Sequence, residues 1–221
     1  MAKNTWWPTG GVKPIVWDET KYEGNITYNW GSLSAEVQSE RFWTAATNGA
    51  HCAGHSNTAL LPHNLPNCSN PNNDGTHHKP LCNPIMWWNK GGQLRGHSPP
   101  RVQFYRDQME GGDVPAYDTM RSDKLWEDAV HDRGAGVYRL FSQDGAFHLV
   151  YWLNTTQTVT FALAEVTAAD SAAASAASSF TASHLDYWNM TATAMPDVVG
   201  PSATFTPPVE NFVLKLVRKA H

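Results

Sequence analysis

Charge is scarce in this chain. Only 16% of its 221 residues are Asp, Glu, Lys or Arg, the balance is −4, and no Lys/Arg cluster occurs. Nucleic-acid binding needs concentrated positive charge, so that class is excluded. Long apolar runs are missing too: no stretch of eighteen appears, and MAKNTWWPTGG has no apolar core of a signal peptide, so no membrane association is expected. Cysteine is limited to Cys52, Cys68 and Cys82. The last two bracket a Pro/Asn-rich stretch at a spacing that allows a bridge and leaves Cys52 free, and the odd count makes a weak compartment argument. Four Asn-x-Ser/Thr tripeptides, at Asn25, Asn67, Asn154 and Asn189, lean toward a secreted, extracellular protein whose signal is not in this chain. His51, His55, His63, His77 and His78, taken with the cysteines, match no zinc spacing, so no metal or other cofactor is expected. No Gly-x-Ser-x-Gly elbow supports a serine nucleophile.

Aromatics are plentiful: ten Trp, seven Tyr and eight Phe, with paired indoles at Trp6-Trp7 and Trp87-Trp88. Flat apolar faces with a polar edge suit sugar rings, and they suit protein cores equally well. Both readings stand for Trp87 and Trp88. Near the start, Lys13-Pro14 opens the short β-branched run Ile15-Val16-Trp17, which predicts a strand with the acidic pair Asp18-Glu19 at its C-terminal end. That end is the active face in (β/α) barrels. A carboxylate there, beside Tyr22 and Glu23, has the chemistry of a retaining glycosidase nucleophile, and it also has that of a loop-capping acid. Asp18 is a poor second acid, because neighbours on an extended strand point to opposite faces.

Ser34 predicts an N-cap for a helix over 35–48, with Glu36 in its first turn and Gly49 as its stop. AHCAGH then reads as a second strand over 50–55, which makes one βαβ unit. Residues 56–85, dense in Asn, Pro and His, read as an irregular excursion. SPPRVQFYRDQME starts another helix at Ser98 with proline in its first turn and Gly111-Gly112 beyond its end. Residues 113–135 are polar and unpatterned, as a connector would be. Past them the period becomes two, at Val137–Phe141, Phe147–Leu153, Val159/Phe161/Leu163, Leu185–Met190 and Phe212/Leu214/Leu216, which predicts an antiparallel β-sandwich. The Ala/Ser run at 169–179 reads as a loop. The organisation expected is therefore mixed α and β: a barrel-like segment over 1–112, a linker over 113–135 and a sandwich over 136–221.

Four longer patterns carry a resemblance: WDExxYEGNI, WGxLSAE, RFWxAxxNGAHxxGH and WWxKGGxLxGxSPxR, followed by FSQDGAFHLVYWLN, HLDYWNMT and TFTPP with FVLKL. Together they resemble the C-terminal portion of apiosidase-like glycoside hydrolases, in which a TIM barrel is followed by a small β-sandwich once given a collagen-binding label. The resemblance covers nearly the whole chain and is most specific in its first half. It implies a partial (β/α) barrel, the last two βα units, with KPIVWDE as the seventh strand and AHCAGH as the eighth. Glu19 then falls on the catalytic nucleophile, with Tyr22, Glu23 and Asn25 beside it in the substrate loop. His55 falls on the histidine of a Gly-His-Gly-Glu-Thr motif. Here the chain departs, with GHSNT placing Asn57 at the acid's position. It departs again where Leu-His-Gly-Glu-Ser-Pro is expected and Arg95 and His97 stand. Asn57 can still bond a sugar hydroxyl but cannot ionise.

A glycosidase needs two carboxyl groups flanking the scissile bond, and the resemblance places the proton donor on an earlier barrel strand. The expectation is a truncated or split glycoside-hydrolase-like chain with carbohydrate as partner and polysaccharide side chains as ancestral substrate, with little activity alone. A separate chain that completes the barrel is the second partner expected. The alternative is a non-catalytic carbohydrate-binding or scaffold protein.

Overall fold

The computed structural model describes residues 15–17, 21–24, 33–53, 57–59, 85–86, 96–128, 134–163 and 178–219. Among the described residues, two α-helices, α1 (Ala35–Thr47) and α2 (Ser98–Met109), accompany thirteen strands. Five short strands lie in the first half: β1 (Ile15–Trp17), β2 (Glu23–Gly24), β3 (Ala50–Ala53), β4 (Asn57–Ala59) and β5 (Ile85–Met86). The others are β6 (Met120–Asp128), β7 (Ala135–Ser142), β8 (Phe147–Leu153), β9 (Val159–Ala162), β10 (Ser179–Asp186), β11 (Thr191–Val199), β12 (Ser202–Phe205) and β13 (Phe212–Arg218). Six of these form an antiparallel sheet in the order β11-β10-β13-β8-β7-β6, while β12 and β9 pair as a separate antiparallel ribbon.

The sheet is covered on both sides, and β8 shows why its sequence has to be FHLVYWL. Phe147, Leu149, Tyr151 and Leu153 enter a cluster with Phe42, Trp43, Val102 and Tyr105 of the two helices. The alternating Val150 and Trp152 enter a second cluster with Val159 and Phe161 of β9 and Ala203 of β12. A strand buried on both faces reads as an unbroken apolar run rather than an alternating one. Each such large side chain contributes about 1.5–3 kcal/mol when removed from water. Trp43, fully buried, sits edge-on to Tyr105 at 5.0 Å and tilted against Tyr187 at 5.5 Å.

Helix α1 begins and ends where its sequence dictates. Ser34 is extended, and its hydroxyl accepts from Val37 N at 3.3 Å. At the far end Gly49 takes φ +83°, and a Cβ there would stand 3.0 Å from Ser122 Oγ. That hydroxyl donates to Asn48 O at 2.8 Å, tying β6 to the helix terminus. Tyr117, in a single 3-10 turn over Tyr117–Thr119, donates to Ala46 O at 2.7 Å and Ala50 O at 2.9 Å. Burial pushes its phenol up to about 12. Lys215 of β13 reaches Gln108 O of α2 at 2.8 Å, and Asn211 reaches Glu40 of α1 at 3.2 Å. Helices and sheet therefore share one core and one hydrogen-bond network.

Several sequence expectations change. Residues 120–128, read as part of a connector, form the edge strand β6. One strand lies beside it, and polar residues satisfy its exposed surface, so it carries no apolar alternation to detect. The strand expected over 185–190 instead ends at Asp186. Asp186 accepts from Asn189 N at 2.9 Å and Nδ2 at 2.8 Å, and Met190 takes φ +56°, so side-chain turn chemistry stops a run of strand-forming aromatics. Strands β10 and β11 flank that turn, and β11 went unread because nearly every residue in it is exposed. Strand β3 ends at Ala53, and the excursion over 56–85 contains β4 and begins β5. Cys68, Cys82, Asn67 and all but the end of the Ala/Ser run lie outside the described residues. Antiparallel pairing of the second half holds as expected.

Candidate functional site

The first half builds its geometry from a parallel pair. Strands β1 and β3, joined through α1, run in the same direction with Trp17 in register with Ala53, which is the βαβ unit expected. Their C-terminal ends are therefore side by side. Val16 and Trp17 are 58% and 43% exposed, although consecutive strand residues face opposite ways, so neither side of β1 is covered among the described residues. Glu19 follows Trp17 by two positions and His55 follows Ala53 by two. Both lie outside the described residues, as do Asp18, Asn25, Trp87 and Trp88.

A second small sheet, β2-β4-β5, stands next in the chain. Strand β2 runs parallel to β4 with Glu23 opposite Asn57, and β4 pairs antiparallel with β5 through Thr58 and Met86. Two expected site positions thus fall together in the backbone, Glu23 and Asn57, and Met86, which precedes Trp87, pairs with the next residue of β4. Tyr22 O accepts from Leu33 N at 3.1 Å, and Gly24 N donates to Leu33 O at 3.0 Å, which fastens this loop to the start of α1. Tyr22 itself is half-buried.

Glu23 is the best-defined of these positions. The residue is 7% exposed. Oε1 accepts from His97 N at 2.8 Å, and Oε2 accepts from Ser98 N at 2.8 Å and Ser98 Oγ at 2.6 Å. Helix α2 has no side-chain cap of its own, and a helix start leaves backbone N–H groups unpaired and electropositive. Glu23, 74 residues from His97 in sequence, supplies both the acceptor and the charge. With both oxygens engaged, it works as a tether that fixes β2 to the start of α2. The sequence carried one signal of this: a proline-rich helix start without its own Asp or Glu demands an acceptor from elsewhere.

The same end of α2 presents two further polar side chains, His97 and Arg101, to which the motif assigned no sugar contact. His97 is exposed, and Arg101 lies over the Trp188 ring at 3.8 Å while donating to His97 O at 2.6 Å. Glu36, at the start of α1, has its carboxyl lowered by its backbone hydrogen bond and by Ser34, with Arg101 and His97 adding smaller attractions. The starts of both helices are therefore neighbours. Among the described residues no group of His, Cys, Asp and Glu is arranged to hold a metal, and no described helix is long and apolar enough to cross a membrane.

Comparison with solved structures gives the fold. A provisionally assigned glycoside hydrolase from Bacteroides vulgatus ATCC 8482 superposes with a TM-score of 0.60 at 20% identity, covering 94% of this chain and 36% of its own. A second glycoside hydrolase gives 0.54 at 11% identity over 95% of this chain and 43% of its own. The chain has a glycoside-hydrolase-like fold and spans less than half the length of the structures it matches. No protein-family model matches it, and no curated protein matches it by sequence.

Proposed function

We propose that the chain is the C-terminal part of a retaining glycoside hydrolase architecture, with β1 and β3 as the last two strands of a (β/α) barrel and Glu19 as the nucleophile. Tyr22, Asn25, His55, Asn57, Trp87 and Trp88 contact the sugar, and Glu23 holds their loops against α2. The ligand is carbohydrate, a side chain of a plant or microbial polysaccharide. One observation carries the reading: the parallel register of Trp17 with Ala53 brings together the two strand ends from which Glu19 and His55 each follow by two residues. The in-register Glu23 and Asn57 support it.

Parallel strands are normally covered on both faces. The exposure of Val16 and Trp17, together with matched structures more than twice as long, favours a further polypeptide segment over β1 that brings the acid/base group. These 221 residues alone then bind sugar without cleaving it. The absence of an acid at Asn57 and His97 favours the same outcome. Exposed Asn189, in a turn after β10, is accessible to glycosylation, in keeping with export.

The test is direct. The purified chain, incubated with aryl glycosides and with pectic and hemicellulosic polymers, shows no turnover, and affinity gels of those polymers retard it. Trp87→Ala or Trp88→Ala weakens the retardation. Turnover by the isolated chain that is lost in Glu19→Gln overturns the non-cleaving assignment. No retardation on any polymer overturns the carbohydrate assignment.

A further inference from the structure

At the opposite end of α2 from Glu23, about 16 Å along the helix axis at 1.5 Å per residue, a cleft of about 250 Å³ opens between the helix terminus and the sheet. Gln108, Gly111, Gly112 and Asp113 form one wall, and Thr181 and Ser183 of β10 with Lys215 and Val217 of β13 form the other. Lys215 is the unusual group. Its ammonium is half-buried, and its hydrogen bonds go to neutral acceptors, Gln108 O at 2.8 Å and Gln108 Oε1 at 3.4 Å. No carboxylate makes an ion pair with it among the described residues. Asp113 acts only through a longer-range attraction, while burial pulls the lysine below its ordinary range.

A charge taken partly out of water without an opposite charge in contact is costly, and an anion that enters removes that cost. The third ammonium hydrogen remains for such a ligand. Ser183 Oγ, which has no hydrogen-bond partner among the described residues, offers a second donor on the same wall, and Thr181 Oγ1 is committed to Val217 O at 3.2 Å. On the other wall Asp113 and the Gln108 amide are suited to accept from hydroxyl groups. Donors to a carboxylate on one wall and acceptors for hydroxyls on the other describe a ligand that carries both.

We propose that this cleft binds a sugar acid, a single hexuronate-sized ring whose carboxylate meets Lys215 and Ser183 and whose hydroxyls face Asp113 and Gln108. The assignment stands on the chemistry of the cleft and does not rest on hydrolysis at Glu19. Glucuronate and glucose are the natural probe pair, since they differ in a carboxylate against a hydroxymethyl group. In a titration of the full chain followed by backbone amide NMR, glucuronate shifts Gly111, Gly112 and Asp113 with saturation in the millimolar range, and glucose does not.

Lys215→Met abolishes those shifts and Ser183→Ala weakens binding about threefold. Because Lys215 also ties β13 to α2, Ser183→Ala and the glucuronate/glucose contrast decide the matter if Lys215→Met fails to fold. Equal response to both sugars, a response centred away from these residues, or an acetate response as strong as that of glucuronate overturns the proposal. A chain that ignores every neutral polymer yet shows this contrast would overturn the proposed sugar contacts around Glu19 and leave the cleft standing. Retention on neutral polymers without the contrast would do the reverse.

Discussion

The two faces of the six-stranded sheet are buried by different means. On the helix side, Trp43, Tyr105, Tyr151 and Tyr187 mesh at centroid distances of 5.0 to 6.4 Å. Burial pushes the Tyr187 phenol up to about 12. On the ribbon side an ion pair is sealed in instead: Arg139, 8% exposed, forks onto Asp123, donates to Ala162 O at 2.7 Å and lies over Phe141. Beside it His148, 1% exposed, touches Leu163 O at 3.2 Å and packs against Phe161 and Phe180. The helix side joins two parts of the chain with neutral groups that no physiological pH change disturbs. The ribbon side encloses an imidazole, His148, that burial keeps neutral. Coupling of the candidate site to the sheet thus depends on packing, and acid sensitivity belongs to the other face.

The largest effect should come from the helix side. Trp43→Ala removes the ring that three tyrosines surround and should cost about 3–5 kcal/mol in urea unfolding, with the helices and the sheet losing protection together. A loss confined to the helices would show that the shared core is less continuous than the contacts indicate.

Acid acts on the other face. Burial, aided by repulsion from Arg139 and outweighing the hydrogen bond to Leu163, lowers the His148 imidazole to about 4. The ordinary value is 6.5, so between those limits the unfolded chain binds a proton that the folded chain does not. Stability is therefore full above pH 6.5 and falls as pH drops toward 4, by about 3 kcal/mol in total. Urea midpoints measured from pH 7 to 4 should follow that slope in the natural protein and lose most of it in His148→Phe. An unchanged slope would assign acid sensitivity elsewhere.

A smaller effect is expected at the tether. Glu23→Gln keeps the shape but loses the charge and leaves an amide NH2 facing the N–H of either His97 or Ser98, at a cost of about 2 kcal/mol. Amide exchange at His97 and Ser98 should accelerate while that of β8 stays slow. Comparable acceleration in β8 would mean that Glu23 supports the whole body. Ser34→Ala should cost least, about 1 kcal/mol, seen as faster exchange in the first turn of α1.

Legibility in the sequence followed physical locality. Helix α1 was readable because Ser34 and Gly49 fix its ends within a few residues, β8 because both its faces are apolar, and β13 because Phe212, Leu214 and Leu216 alternate. Strands β6 and β11 were not, since edge strands draw their stability from a neighbour's backbone and expose their side chains. For the candidate site, the sequence supplied Glu19, Tyr22, Glu23, Asn57 and the paired indoles as chemistry, and the backbone register of Glu23 with Asn57 supplied a relation between two of them.

By itself, then, the sequence determined the βαβ order of the first half and the antiparallel character of the second, and it supplied the candidate site residues. All of these rest on period, capping and turn chemistry that act over a few residues. Tertiary structure alone decided that Glu23 closes on the start of α2, that the helices share a core with the sheet, and that Lys215 lines a cleft without a carboxylate in contact. Those outcomes depend on groups far apart in the chain, brought together by burial of surfaces that no local pattern pairs in advance.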